Sequence, residues 1–325
     1  MRIILKVAAA VLVGFLLLAV VVWARFLRIP TIPVPALSGT VHHAAIEVQG
    51  RSRSFTYYLP RTLAPNAALI LVLHGSGMDG AVTRPMTAYA FDELADREGV
   101  VVAYPDGYGG YWNECRVVGD YEAKRQRIDD VTFLRALIDW FARGHKVARD
   151  RVFATGVSAG GQMVYRVALE APELVRAIAA VSASLPTREN QICTPSGRPI
   201  AVMIINGTED PINPYNGGDV ALFRIFLRRG PGQSSMDTAR YWAELAGHRN
   251  PPQRQPLPDV DPSDHTVATR LLWSGENRPD VALVTIEGGG HTFPHPHGAV
   301  PRLLGRTSHD FDAAEEMWSF FNRQH

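Results

Sequence analysis

Cysteine is nearly absent from this chain: two residues, Cys115 and Cys193, in 325. That is too few for a disulfide-framework protein, and their spacing excludes a paired C-x-x-C zinc site. An excess charge of either sign is also missing, with 33 Lys+Arg against 32 Asp+Glu and a net charge of +1. Such a balance gives no basic field for phosphates, so nucleic acid is excluded as a partner. No internal repeat is visible, and no ligand spacing suggests a metal. His291, His295 and His297 cluster, but Pro294 and Pro296 break any regular arrangement between them. No residue set calls for an organic cofactor.

What is present is apolar sequence, 46% of the chain, enough for a large core. One stretch stands apart. Val7 to Trp23 is unbroken apolar and small sequence, preceded by Arg2 and Lys6 and followed by Arg25 and Arg28. As a helix it spans roughly 25 Å, slightly short of a hydrocarbon core of about 30 Å. Residues 1–28 are read as a membrane anchor or a signal peptide, Val22-Trp23-Ala24 offering a small-residue cleavage pattern. Either reading places the protein outside the cytoplasm, periplasmic or secreted, with the membrane as a partner if the segment stays. Residues 29–39 carry Pro30, Pro33 and Pro35 and read as a semi-rigid linker.

From residue 40 to 325 the pattern is that of one α/β domain. Two adjacent strands, "HHAAIEVQG" and "RSFTYYLP", suggest a hairpin at a sheet edge. Six apolar runs follow: "AALILVLHG", "VVVAYPDG", "RVFATGVS", "VRAIAAVSAS", "PIAVMIING" and "VALVTIEG". Helical segments alternate with them, among them "DDVTFLRALIDWFARG", capped by Asp129 or Asp130, and a closing "HDFDAAEEMWSFFNRQ". The expectation is a mostly parallel sheet of about eight strands with helices on both faces. Residues 211–234 and 249–266, rich in Pro, Gly, Asn and Asp, read as surface loops near the site.

"ATGVSAGGQM" places Gly156-Val157-Ser158-Ala159-Gly160, a G-x-S-x-G pattern, between a buried strand and a helix. A serine on so tight a turn projects its hydroxyl clear of the sheet at a helix N-terminus. It needs a base, and His291 follows an apolar strand and three glycines in "IEGGGHTFPHP"; His295, His297 and His309 are nearby alternatives. The carboxylate that orients the base is read as Asp210 in "NGTEDP", with Glu209 the neighbour most easily confused with it. The order Ser, Asp, His is that of the α/β-hydrolase fold.

"HGSGMDG" also spells G-x-G-x-x-G at Gly75, Gly77 and Gly80, with Asp106 near where a ribose-binding acid would lie. A nucleotide site leaves Ser158, Asp210 and His291 without a role. The loop is read instead as half of an oxyanion hole. Its donors are the amides of Ser76 and Ala159, with Gly77 as the alternative to Ser76.

With these residues placed, the chain resembles the poly(3-hydroxybutyrate) depolymerase-like esterases, a group that includes feruloyl and acetylxylan esterases of the α/β-hydrolase fold. The resemblance rests on "LHGSGMDG", "YPDGYGGYWNEC", "DDVTFL", "GVSAGGQM", "NGTEDPINPYNGG", "LPDVDPSD" and "EGGGHTFP". It implies an extracytoplasmic esterase working through an acyl-enzyme on hydroxyalkanoate, feruloyl or acetyl esters. It also implies Trp112 and Asn113 as candidates for the acyl or leaving-group pocket. Phe293 stands where the family has tryptophan beside the histidine, which bears on substrate preference. Cys115 and Cys193 fall in loops at the carboxyl ends of strands, where export permits a disulfide. A lipase, a serine peptidase and a catalytically dead binding protein are the competing readings.

Overall fold

The computed structural model describes residues 12–21, 24, 28, 31–222, 226 and 228–324. Most of the proposed anchor or signal segment therefore lies outside the described residues. Within it 12–21 is helical with exposed apolar side chains, and among the described residues no helix is long and apolar enough to cross a membrane.

Ten strands form a single sheet: β1 (Thr40–Val48), β2 (Arg51–Leu59), β3 (Ala67–Leu73), β4 (Val101–Pro105), β5 (Val147–Val157), β6 (Ala177–Val181), β7 (Ala201–Gly207), β8 (Gln253–Pro256), β9 (Val267–Gly275) and β10 (Arg278–Glu287). Their spatial order is β1-β2-β4-β3-β5-β6-β7-β10-β9-β8. The pairs from β4 through β10 are parallel, and both edges are antiparallel. β1 and β2 join through Gln49 and Gly50, both at positive φ (52° and 71°), as a two-residue hairpin demands. The expected edge hairpin is there.

The parallel strands are apolar throughout because both faces are covered; every residue of β3, β6 and β7 is buried. On one face lie α3 (Asp130–Gly144), α4 (Ala159–Glu170) and α5 (Ser235–Leu245), contributing Leu137, Met163 and Trp242. On the other lie α2 (Ala90–Glu98) and α6 (Ala313–Phe321), with Phe321 stacked on Phe153 of β5 at 4.8 Å. A shorter helix, α1 (Gly80–Met86), follows the loop after β3. Asp129 caps α3, accepting from the Thr132 amide, while Asp130 turns inward to a buried ion pair with Arg53 at 2.7 Å.

Two expectations are corrected. The sheet has ten strands rather than about eight, because β8 and β9 extend it past β10. β8 lies within 249–266, read as loop: its sequence, Gln-Arg-Gln-Pro, has no apolar alternation, and an outermost strand needs none on its solvent side. The C-terminal helix begins at Ala313 rather than at 309, since Asp312 caps it by accepting from the amides of Ala314 and Glu315.

Candidate active site

Every candidate catalytic group stands on a loop at the carboxyl end of a strand, the end at which open parallel sheets bind ligands. Ser158 follows β5 and opens α4 with φ 57° and ψ −115°. A non-glycine residue held there costs on the order of 1–3 kcal/mol, strain that the surrounding packing has to impose. Part of that packing is visible at Gly160: a Cβ there would sit 2.1 Å from the Leu73 carbonyl oxygen. The helix can thus approach β3 only with glycine at that position. The Ser158 amide donates to Val181 O at 2.9 Å, tying the turn to β6.

Asp210 follows β7 and His291 follows β10. Their side chains meet, with His291 Nδ1 2.7 Å from Asp210 Oδ2. The other carboxylate oxygen, Oδ1, accepts from the amides of Ile212 (2.7 Å) and Asn213 (2.8 Å). A carboxylate only accepts, so Nδ1 carries the ring proton and Nε2 is the basic nitrogen. Both side chains are almost wholly buried, and the His291 amide is anchored to Leu304 O. Glu209 points elsewhere and pairs with Arg306 at the surface.

The alternative histidines are engaged away from this pair. His295 Nδ1 accepts from the His297 amide and its Nε2 faces Asp312; His309 contacts Asp261 and Gly298 O. His295 is buried beside the cap of α6.

A cavity of about 250 Å³ is lined by Ser158 and His291 together, with Gly75, Ser76, Phe293 and Leu304 among its walls. Phe293 packs on Phe91 and takes its place at this wall. The glycine loop reaches the serine: a Cβ on Gly75 would lie 3.7 Å from Ser158 Cβ. The Gly77 amide is committed to Gly110 O at 2.8 Å, whereas the Ser76 amide has no hydrogen-bond partner among the described residues. Gly80 lets α1 sit against β4, since a Cβ there would be 2.3 Å from Tyr104 O. Asp106 is occupied in holding this loop, its two oxygens accepting from the Gly80 amide and the Ser54 hydroxyl.

Trp112 and Asn113 are not brought to the cavity. Trp112 is completely buried, donates its indole N–H to His74 O at 3.0 Å, and packs on the His74 ring. His74 in turn accepts from the Gly107 amide at Nε2 and donates from Nδ1 to Gly75 O; burial pushes its pKa below the ordinary value. Asn113 donates to Ile128 O and, through its amide, to Asp130. These residues brace the loops behind the site, and motif position alone did not separate a braced aromatic from an exposed one. Arg116 and Arg229, which do line the cavity, went unread because they lie on different loops with no motif between them. The Cys115 and Cys193 sulfurs are bonded, joining the loop after β4 to the loop after β6.

The sheet order, the serine turn and the strand-end loops define an α/β-hydrolase fold. An acetyl xylan esterase from Aspergillus awamori shares it: TM-score 0.59, 17% identity, 87% of this chain and 99% of that one covered. The sequence profile of the prolyl oligopeptidase family matches residues 87–193. NocK of Nocardia uniformis subsp. tsuyamanensis, named as an esterase, is 27% identical over 296 residues, covering 88% of this chain and 84% of the relative. Feruloyl esterase D of Neurospora crassa is 24% identical over 287 residues, covering 85% and 83%. The two relatives are esterases by name, and the solved structure shares the fold.

Proposed function

We propose that the protein is an extracytoplasmic serine esterase that cleaves carboxylic esters through an acyl-enzyme. The observation that carries this reading is the Asp210–His291 hydrogen bond, whose imidazole opens onto the same cavity as the strained Ser158. Ser158 attacks the ester carbonyl while His291 Nε2 takes its proton, and Asp210 holds the tautomer and stabilises the imidazolium. The amides of Ser76 and Ala159 receive the oxyanion; one such donor contributes on the order of 3 kcal/mol. His291 then protonates the leaving alcohol and activates water for deacylation.

A cavity of about 250 Å³ suits a short acyl or alcohol group. Hydroxyalkanoate oligomers, feruloyl esters and acetyl esters are the substrate classes proposed. The bonded Cys115 and Cys193 support an oxidising compartment. Residues 1–28 supply the export signal or the membrane tether, 29–39 the linker, and 40–325 the catalytic domain.

The prolyl oligopeptidase match favours a second reading, a serine peptidase using the same residues. One experiment separates them. The full chain is assayed on p-nitrophenyl acetate, butyrate and 3-hydroxybutyrate, on methyl ferulate, and on proline and alanine p-nitroanilides. Turnover of the esters without the anilides is the expected result. Anilide cleavage exceeding ester cleavage replaces the esterase with a peptidase.

A further inference from the structure

Most of the cavity wall is apolar, including Met78, Val157, Ile212 and Phe293, yet two arginines stand in it, Arg116 and Arg229. Arg116 comes from the loop after β4, beside the disulfide-bonded Cys115, and is only 5% exposed. Its acidic partner is Glu114, whose carboxylate lies 3.1 Å from the buried Nε, which makes no hydrogen bond among the described residues. Arg229 comes from the 211–234 segment. Its guanidinium lies 5.1 Å from the centre of the Tyr121 ring, and no carboxylate of the described residues is within ion-pair distance. Lys124 adds a third cation, its ammonium against the carbonyls of Glu114 and Arg116.

Glu114 is the one acid in this cluster. Burial works against its ionisation, but Arg116 and Lys124, helped by the Tyr121 hydroxyl, hold its pKa below the ordinary carboxylate value. It therefore balances one positive charge and leaves Arg229 and a second cation uncompensated. A partly buried guanidinium facing an apolar cavity is costly without an anion. An apolar wall alone would serve a neutral ester, and nothing in the site's acyl-transfer chemistry uses these cations.

We propose that Arg116 and Arg229 form a carboxylate-binding subsite, so that the preferred substrates are esters bearing a free carboxylate away from the scissile bond. Planar guanidinium groups match a carboxylate through paired N–H donors, and Arg116 and Arg229 each bring one guanidinium to the cavity wall. The loop holding Arg116 is fixed by the disulfide and by the Ile192 amide bonded to Cys115 O, so this guanidinium is pre-organised. The carboxylate belongs either to the acyl half, as in a dicarboxylic monoester, or to the leaving half, as in an ester of a hydroxy acid. This inference rests on the serine-esterase reading of the same cavity.

The test compares kcat/KM within matched pairs: mono-p-nitrophenyl adipate against p-nitrophenyl hexanoate, and 4-acetoxybenzoate against 4-acetoxybenzamide. The first pair places the anion on the acyl side and the second on the leaving side. In the wild type one pair favours the anionic member, and Arg229→Gln lowers that ratio by about tenfold or more, with Arg229→Lys restoring part of it. Arg116→Gln strips Glu114 of its partner and endangers the loop, so Arg229 is the primary site of the test. Equal use of both members in both pairs, or an anionic-to-neutral ratio unchanged in Arg229→Gln, overturns the subsite. Hydrolysis of the neutral members that depends on Ser158 leaves the esterase reading standing in that event. Failure to hydrolyse any of the four refutes both.

Discussion

The two ends of the sheet carry cavities of opposite character. At the amino ends of the strands a groove of about 860 Å³ is lined by Arg149, Arg176, Arg198 and Arg278 together with Asp150, Glu173 and Asp280. At the carboxyl ends the cavity is about 250 Å³, less than a third as large. The larger groove holds mixed surface charge and no serine, threonine, cysteine or histidine. The smaller one holds a serine forced to positive φ, a histidine fixed by a buried carboxylate, and a loop amide left open. Volume does not mark the proposed reactive end. Strain, committed hydrogen bonds and one deliberately uncommitted donor do.

Substitutions at the two ends sharpen this contrast. Ser158→Ala is expected to lower turnover of short p-nitrophenyl esters by roughly a million-fold while the thermal melt barely moves; comparable turnover in that variant would remove the nucleophile from the account. Asp210→Asn keeps the shape but lets the imidazole adopt the wrong tautomer. Turnover should fall by about ten-thousand-fold, with KM little altered. A loss of tenfold or less would mean that Glu209 or another acid orients the base.

The disulfide ties the loop carrying Arg116 across 78 residues of sequence. Replacing Cys115 and Cys193 together by serine should cost about 2–4 kcal/mol, read from the urea midpoint. A midpoint unchanged from wild type would show the bond to be dispensable for the fold. Smallest of all is the amino-end control. Arg198→Ala, an exposed position, should leave ester turnover and melt near wild type. A large activity loss there would break the assignment of function to the carboxyl end.

The proposed reactive end was legible in the sequence because its geometry forces residue types. A serine on a strand-to-helix turn requires a small residue where α4 meets β3, so Gly160 marks it. His291 and Asp210 each follow a buried strand through a turn rich in glycine or proline. Ser76 could be preferred to Gly77 on pattern, but only the Gly77–Gly110 hydrogen bond shows why. The far edge was not legible: β8 has the composition of a loop, and the antiparallel β9 pairs with β10 through a register no local pattern encodes. Trp112 failed for another reason. An aromatic residue in a glycine-rich loop reads the same whether it faces substrate or packs behind it, and its bond to His74 O is a contact across 38 residues. Arg116 and Arg229 are likewise neighbours only after folding.

The most direct test of the central claim is covalent labelling. A fluorophosphonate probe incubated with the full chain should add one phosphonyl group to Ser158, located by peptide mass spectrometry. Labelling should vanish in Ser158→Ala and slow sharply in His291→Ala. Absence of an adduct on active, folded protein, or an adduct on another serine, would contradict the account.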